Sequence, residues 1–392
     1  MRTVGTQVKG IRAPIIKEGD DLVAIIVFSL LKSAKNEDYQ LQNKDVVGIT
    51  ESLVARAQGN YLTVDDIARE VKYKYPEDIG IIFPILSRNR FSPILKGIAR
   101  SGRKIYLQLS YPADEVGNHL MDVEVLDELN IDPNNDVLTE EDYRKYFGDF
   151  KHCFTGINYI DLYKEIAGET AIEIILANKP QTILNHTKDV LVCDIHTRFR
   201  TKRILKNAGA NIVYGLDDLC NQGNDRGFNP EYGLLGSNKA SDDKLKLFPR
   251  EGEAFVRQVQ QKLKEETGKK IEVMIYGDGA FKDPAGKIWE LADPVVSPGF
   301  TSGLKGTPNE VKLKYLADNN FEGLRGDKLL AAMKKEIRNK ENDLTGKGKA
   351  QGTTPRQLTD LLGSLCDLVS GSGDKGTPIV LIQGYFDNLA SD

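Results

Sequence analysis

The chain has 392 residues, of which 40% are hydrophobic and 28% charged, with a formal net charge of −4. This composition suits a globular protein with one large core or two smaller ones, and its mixed charge argues against a basic nucleic-acid-binding face. No apolar run reaches the ~18 residues of a membrane span, and no charged segment followed by an apolar one opens the chain, so a soluble cytoplasmic protein is expected, with no membrane partner.

In chain order, residues 17–21 (Lys-Glu-Gly-Asp-Asp) read as a turn and N-cap before a helix over 22–35. Residues 45–49 (DVVGI) predict a buried strand, 63–66 a capping box that opens a second helix, and 104–110 another strand. The stretch 120–190 holds acidic, Asn- and Pro-rich turns and at least one helix, expected over 159–176. A strand at 190–194, a basic helix at 197–208 and a strand at 211–214 then form a βαβ-like unit, which implies a parallel layer. Residues 216–244 read as loop. An amphipathic helix over 251–267, closed by Gly268, leads to a strand at 271–276. A charged helix and a Gly/Lys/Thr-rich surface stretch fill 323–356, and a helix at 355–369, a Gly-rich turn at 370–376 and a strand at 379–383 follow. The class is mixed α/β.

Cys153, Cys193, Cys220 and Cys366 are far apart, without CxxC spacing. That argues against zinc and for reduced thiols, with Cys193 and Cys366 buried in apolar runs. Three aspartates end apolar runs: Asp114, Asp194 and Asp278. Carboxylates at strand ends converge on one sheet edge, where they can hold Mg²⁺ against a nucleotide's phosphates, although aspartate is also common wherever a strand turns. His196, Arg198, Arg200, Lys202 and Arg203 follow Asp194. They read either as a clamp for phosphate or carboxylate, with Arg198 foremost, or as a solvated helix face. The turn SGSGDKG offers Gly371, Gly373 and Lys375 to phosphate, or is a flexible connection. The run 132–142 lacks the glycine and glutamate of a calcium loop and is rejected as one.

Four segments, VKGIRAPIIKEGDDL (8–22), DVVGITESLVARAQG (45–59), residues 236–281 with their Ser237-Asn238, and the closing helix, Gly-rich turn and strand (355–384), together resemble the coenzyme F420-0:L-glutamate ligase family. The resemblance implies the family's fold and a nucleotide site. In it Pro14, Ile15 and Ile16 line the base, Glu51 and Ser52 approach the nucleotide, and Arg56 contacts its phosphates. It further implies GTP (or ATP) with Mg²⁺ or Mn²⁺, a homodimer, and transfer of L-glutamate to a carboxylate acceptor through an acyl phosphate. Under it Asp114, Asp194 and Asp278 are the expected metal ligands, and Asp114, Asp194 and Arg198 the catalytic set. The expected organisation is a nucleotide-binding region over 1–118, an inserted βαβ-like segment over 119–235 and a C-terminal ligase-like region over 236–392. A folate or pterin glutamyl ligase, or a nucleotide-binding homologue without catalysis, is the alternative.

Overall fold

The computed structural model describes residues 3–223, 226–277, 280–282, 289–291, 296–351, 356–370 and 373–391. The chain folds as two compact units, one made of 1–54, 251–280 and 291–392, the other of 55–250 and 281–290.

The first unit is built on a five-stranded mixed sheet in the order Gln7–Ile11, Ile379–Gln383, Val46–Thr50, Glu272–Gly277, Val296–Phe300. Val46–Thr50 runs parallel to Glu272–Gly277, and both it and Gln7–Ile11 are antiparallel to Ile379–Gln383. The strand Ile379–Gln383 is buried at every position, which is why its first four residues, IVLI, form a continuous apolar run without alternation. Helix Leu358–Val369 covers this sheet closely. A Cβ on Gly48 would meet Cys366 Sγ at 2.3 Å, so only glycine lets the helix approach that strand. Helices Leu22–Asn36 and Gly252–Thr267 pack on each other. Asp21 caps the first of them by accepting the Ala24 amide, and Gly268 ends the second at φ 68°.

The second unit contains a six-stranded sheet in the order Leu138–Thr139, Ile172–Leu176, Ile105–Leu109, Ile79–Ile82, Asp189–Val192, Ile212–Gly215. All neighbours are parallel except Leu138–Thr139, which pairs antiparallel at one edge. Counted along the chain, the parallel strands lie third, second, first, fourth, fifth. This is a doubly wound arrangement whose order reverses between Ile79–Ile82 and Asp189–Val192. A separate ladder pairs Tyr61–Thr63 with Lys244–Lys246, and that strand pairs with Asn238–Ser241.

The expected βαβ unit is present as Asp189–Val192, Arg198–Asn207 and Ile212–Gly215. The helix expected over 159–176 is corrected. It spans Tyr159–Ala167, stops at Gly168 with φ 59°, and Ile172–Leu176 is a strand inside the parallel sheet. A glycine in the left-handed region ends the helix, and the β-branched run that follows fits a sheet with both faces covered. The expected loop over 216–244 contains the strand Asn238–Ser241. The compact units are drawn differently from a division at 118 and 235. Strands from both sides of residue 118 share one sheet, and 119–235 belongs with 55–118. Cys193, Cys220 and Cys366 are buried thiols and Cys153 is exposed. Among the described residues no helix is long and apolar enough to cross a membrane.

Candidate functional site

Pairing brings distant segments to one edge of the five-stranded sheet. Ile11 and Ile49 both face Ile379, and Thr50 faces Tyr276. The ends of three strands and the start of a fourth therefore lie side by side, together with the segments that leave them. The Ala13 amide donates to the Gly376 carbonyl at 3.3 Å, and the Thr50 amide donates to the Pro378 carbonyl at 3.2 Å. This edge gathers the segment of Pro14, Ile15 and Ile16, the turn with Gly373 and Lys375, and Glu51 with Ser52 at the start of helix Glu51–Ala57.

Side-chain placement within that edge is uneven. Ile16 is buried, whereas Pro14 is exposed and Ile15 is 83% exposed, an apolar side chain left available to a ligand. Glu51 is buried, and a Cβ on Gly277 would fall 2.8 Å from its Cγ, so the glycine makes room for the carboxylate arm. Tyr276 lies beneath, 1% exposed; burial raises its hydroxyl well above the ordinary value, with the Ser370 hydroxyl opposing. Lys375 is exposed on the turn, and Arg56 is exposed in the last turn of helix Glu51–Ala57. Gly371 and Asp278 lie outside the described residues.

In the second unit, the loops at the carboxyl ends of the parallel strands carry the other expected residues. Asp114 is buried, and its carboxylate is fully occupied by the protein. Oδ2 accepts from the Leu86 amide and Asn118 Nδ2, both at 2.8 Å, and Oδ1 from the amides of Val116 (3.0 Å) and Asn118 (2.9 Å). Burial raises its pKa, and these four bonds offset the rise only in part. Such a carboxylate organises a loop and has no lone pair left for a metal ion. Asp194 is 2% exposed. Its Oδ2 accepts from the hydroxyls of Thr197 (2.5 Å) and Thr201 (2.9 Å), while the buried Oδ1 has no hydrogen bond among the described residues, and burial again lifts the pKa above the ordinary value.

The basic helix is largely spoken for. Arg198 donates to Asp217 at 3.1 Å and to the Ile195 carbonyl at 2.6 Å, and its guanidinium lies over the Phe199 ring. Lys202 bridges Asp217 and Asp218. These pairs hold Arg198 and Lys202 against Asp217 and Asp218, part-buried rather than on a solvated face; Arg200 and Arg203 remain exposed. The residue pattern did not single out Glu115, whose carboxylate accepts the amides of Ile195 (2.5 Å) and His196 (3.1 Å) and so ties two strand-end loops together. Nor did it single out Arg90, which sits at the point where the strand order reverses; the apolar run at 79–83 followed by two arginines was its only signal. Among the described residues no group of three or more His, Cys, Asp or Glu side chains could hold a metal ion. The described carboxylates therefore do not fit a metal centre built by the protein alone.

The sequence profile of the family described as F420-0:Gamma-glutamyl ligase matches residues 10–384. No curated protein matches the chain. Since the profile runs through both units from the first strand to the last, the chain belongs to the F420-0:γ-glutamyl ligase family.

Proposed function

We propose that the protein is a ligase that forms an amide bond between an amino acid, L-glutamate in the first place, and a carboxylate acceptor, with GTP or ATP as phosphoryl donor. Family membership over residues 10–384 carries this reading. A carboxylate resists attack by an amine because its departing oxygen is a poor leaving group. Phosphorylation turns that oxygen into phosphate, and the amine then displaces it from the acyl phosphate. The sheet edge suits the nucleotide: Ile15 offers an exposed apolar surface for a base, and Lys375 is an exposed cation for phosphate oxygens. Mg²⁺ or Mn²⁺ would enter with the nucleotide's phosphates, and the homodimer expected of the family belongs to the same proposal.

The test is turnover. Purified protein, GTP or ATP, each metal, L-glutamate and a panel of carboxylate acceptors that includes F420-0 and a folate should release nucleoside diphosphate only when glutamate and acceptor are both present. Calorimetry showing that neither nucleotide binds would overturn the reading. The full occupancy of Asp114 favours a second reading, a homologue that binds nucleotide without catalysis. Binding without turnover on any acceptor would select it.

A further inference from the structure

We propose that the second unit holds a further binding site, a cleft at the reversal point of the doubly wound sheet that takes a small uncharged molecule with an apolar body and one hydroxyl or carbonyl oxygen. Open α/β sheets bind ligands outside the carboxyl ends of their strands, where the strand order reverses. The cleft sits there. Ile85 lines it from the loop that leaves Ile79–Ile82, Ile195 from the loop that leaves Asp189–Val192, and Phe91 and Ile94 from helix Phe91–Arg100. Its free space is about 360 Å³ counted out to the open mouth, while the centre of a water molecule has only about 30 Å³ to move in. The occupant is therefore small, a short branched chain or one ring.

The wall decides the chemistry. Apart from Arg90, Cys193, Gly236 and Ser237, every described lining residue is apolar. Arg90 already has a partner of its own, and burial keeps the Cys193 thiol neutral, so the described wall offers no unmatched charge. A charged ligand would leave water for apolar surface without a counter-charge, which is strongly unfavourable, whereas an uncharged one gains by burying its apolar body. Ser237 supplies the polar contact. It is 1% exposed and lines the cleft; its amide donates to the Leu234 carbonyl, and its hydroxyl has no hydrogen-bond partner among the described residues. A buried hydroxyl left unpaired is unfavourable, and a ligand oxygen that pairs with it recovers the loss. The loop over 83–90 contains no glycine, so it lacks the close backbone approach by which such folds cradle a pyrophosphate, and a dinucleotide is not the occupant.

Binding to the full chain, without nucleotide, is read by calorimetry and ligand-observed NMR, so the result does not depend on the ligase reading. The probe is benzyl alcohol, with toluene, benzoate and benzylamine as comparison arms. Benzyl alcohol is expected to bind saturably, about fivefold more tightly than toluene, which lacks the oxygen, and at least about tenfold more tightly than either ion. Ser237→Ala should bring benzyl alcohol down to the toluene level and leave toluene unchanged, a split that a general loss of packing would not give. Ile94→Trp, which fills the cleft, should abolish binding of both; Ser237→Ala gives the answer should Ile94→Trp not fold. No saturable binding of benzyl alcohol, binding no tighter than that of toluene, or an affinity unchanged in Ser237→Ala overturns the proposal. So does benzoate or benzylamine binding as tightly as the alcohol, or a folded Ile94→Trp variant that binds as the wild type does.

Discussion

Glu51 and Gly277 are fitted to each other: the carboxylate arm of the first occupies the space a Cβ on the second would need, with 2.8 Å between them. Gly277→Ala is therefore expected to push Glu51 aside while the fold survives. The thermal transition should fall by the equivalent of about 1 kcal/mol, as for other overpacked sites. Nucleotide affinity, measured by calorimetry, should fall with it. Unchanged affinity would remove Glu51 from the nucleotide side of the site.

Asp114 makes a contrasting case, because its two oxygens already accept four hydrogen bonds. Asp114→Ala strands the buried Leu86 amide and two loop amides, and should destabilise the chain by about 3 kcal/mol in urea unfolding. The loss should be the same with and without Mg²⁺. Wild-type stability that rises with Mg²⁺, and an Asp114→Ala variant that no longer responds, would make Asp114 a ligand after all.

Glu70 anchors a half-buried ion cluster in the second unit, accepting from Arg226, from Lys74 at 3.1 Å and from the Cys220 amide at 2.9 Å. Burial alone would raise its pKa, but the Cys220 amide, Arg226 and Lys74 together bring it below the ordinary 4.5. A depressed carboxylate stabilises the fold above its ordinary pKa, and that stability is lost as pH falls through the folded value. Glu70→Gln should cost about 2 kcal/mol at neutral pH and flatten the acid side of the stability profile. Equal acid slopes in the two proteins would contradict this.

Asp194 runs the other way. Burial outweighs its two threonine hydrogen bonds, so its folded pKa lies above the ordinary 3.8. A raised carboxyl gives stability that is present below the ordinary value and lost as pH rises through the folded one. Asp194→Asn should remove that slope and leave the protein as stable as wild type at neutral pH, or about 1 kcal/mol more so. Urea unfolding across the range from about pH 4 to about pH 7 shows it. A variant markedly less stable at neutral pH would mean the charge itself is wanted.

Elements with their own punctuation were legible in the sequence. Thr63 and Asp66 form the expected capping box, and Gly268 closes its helix as its position implied. The strand Ile172–Leu176 was hidden because IEIIL continues a helical rhythm until the turn after Gly168 is known. Pro14, Ile15, Ile16, Glu51 and Ser52 could be named from motif likeness, but the meeting of their segments at one sheet edge depends on Gln7–Ile11 pairing with Ile379–Gln383, a partnership across almost the whole chain. Spacing in the sequence holds no trace of it. The expected roles of Asp114 and Arg198 rested on residue type and on position, after an apolar run and in a basic cluster. What occupies those side chains is a set of loop amides around Asp114, and Asp217 with the Ile195 carbonyl against Arg198, and neither set is visible before the fold.

The ladder between Thr63 and Lys244 has a kinetic side. Its two strands are joined only through everything between them, and closing so long a loop from an open chain is entropically unfavourable for so few hydrogen bonds. The pairing becomes favourable once the parallel strands between have condensed and brought the two ends together. The second unit should thus acquire order from the inside outward: pulse-labelled amides of Ile79–Ile82 and Ile105–Leu109 gain protection first, and those of Leu62 and Leu245 last. Simultaneous protection of all four segments would mean the ladder takes part in the nucleus.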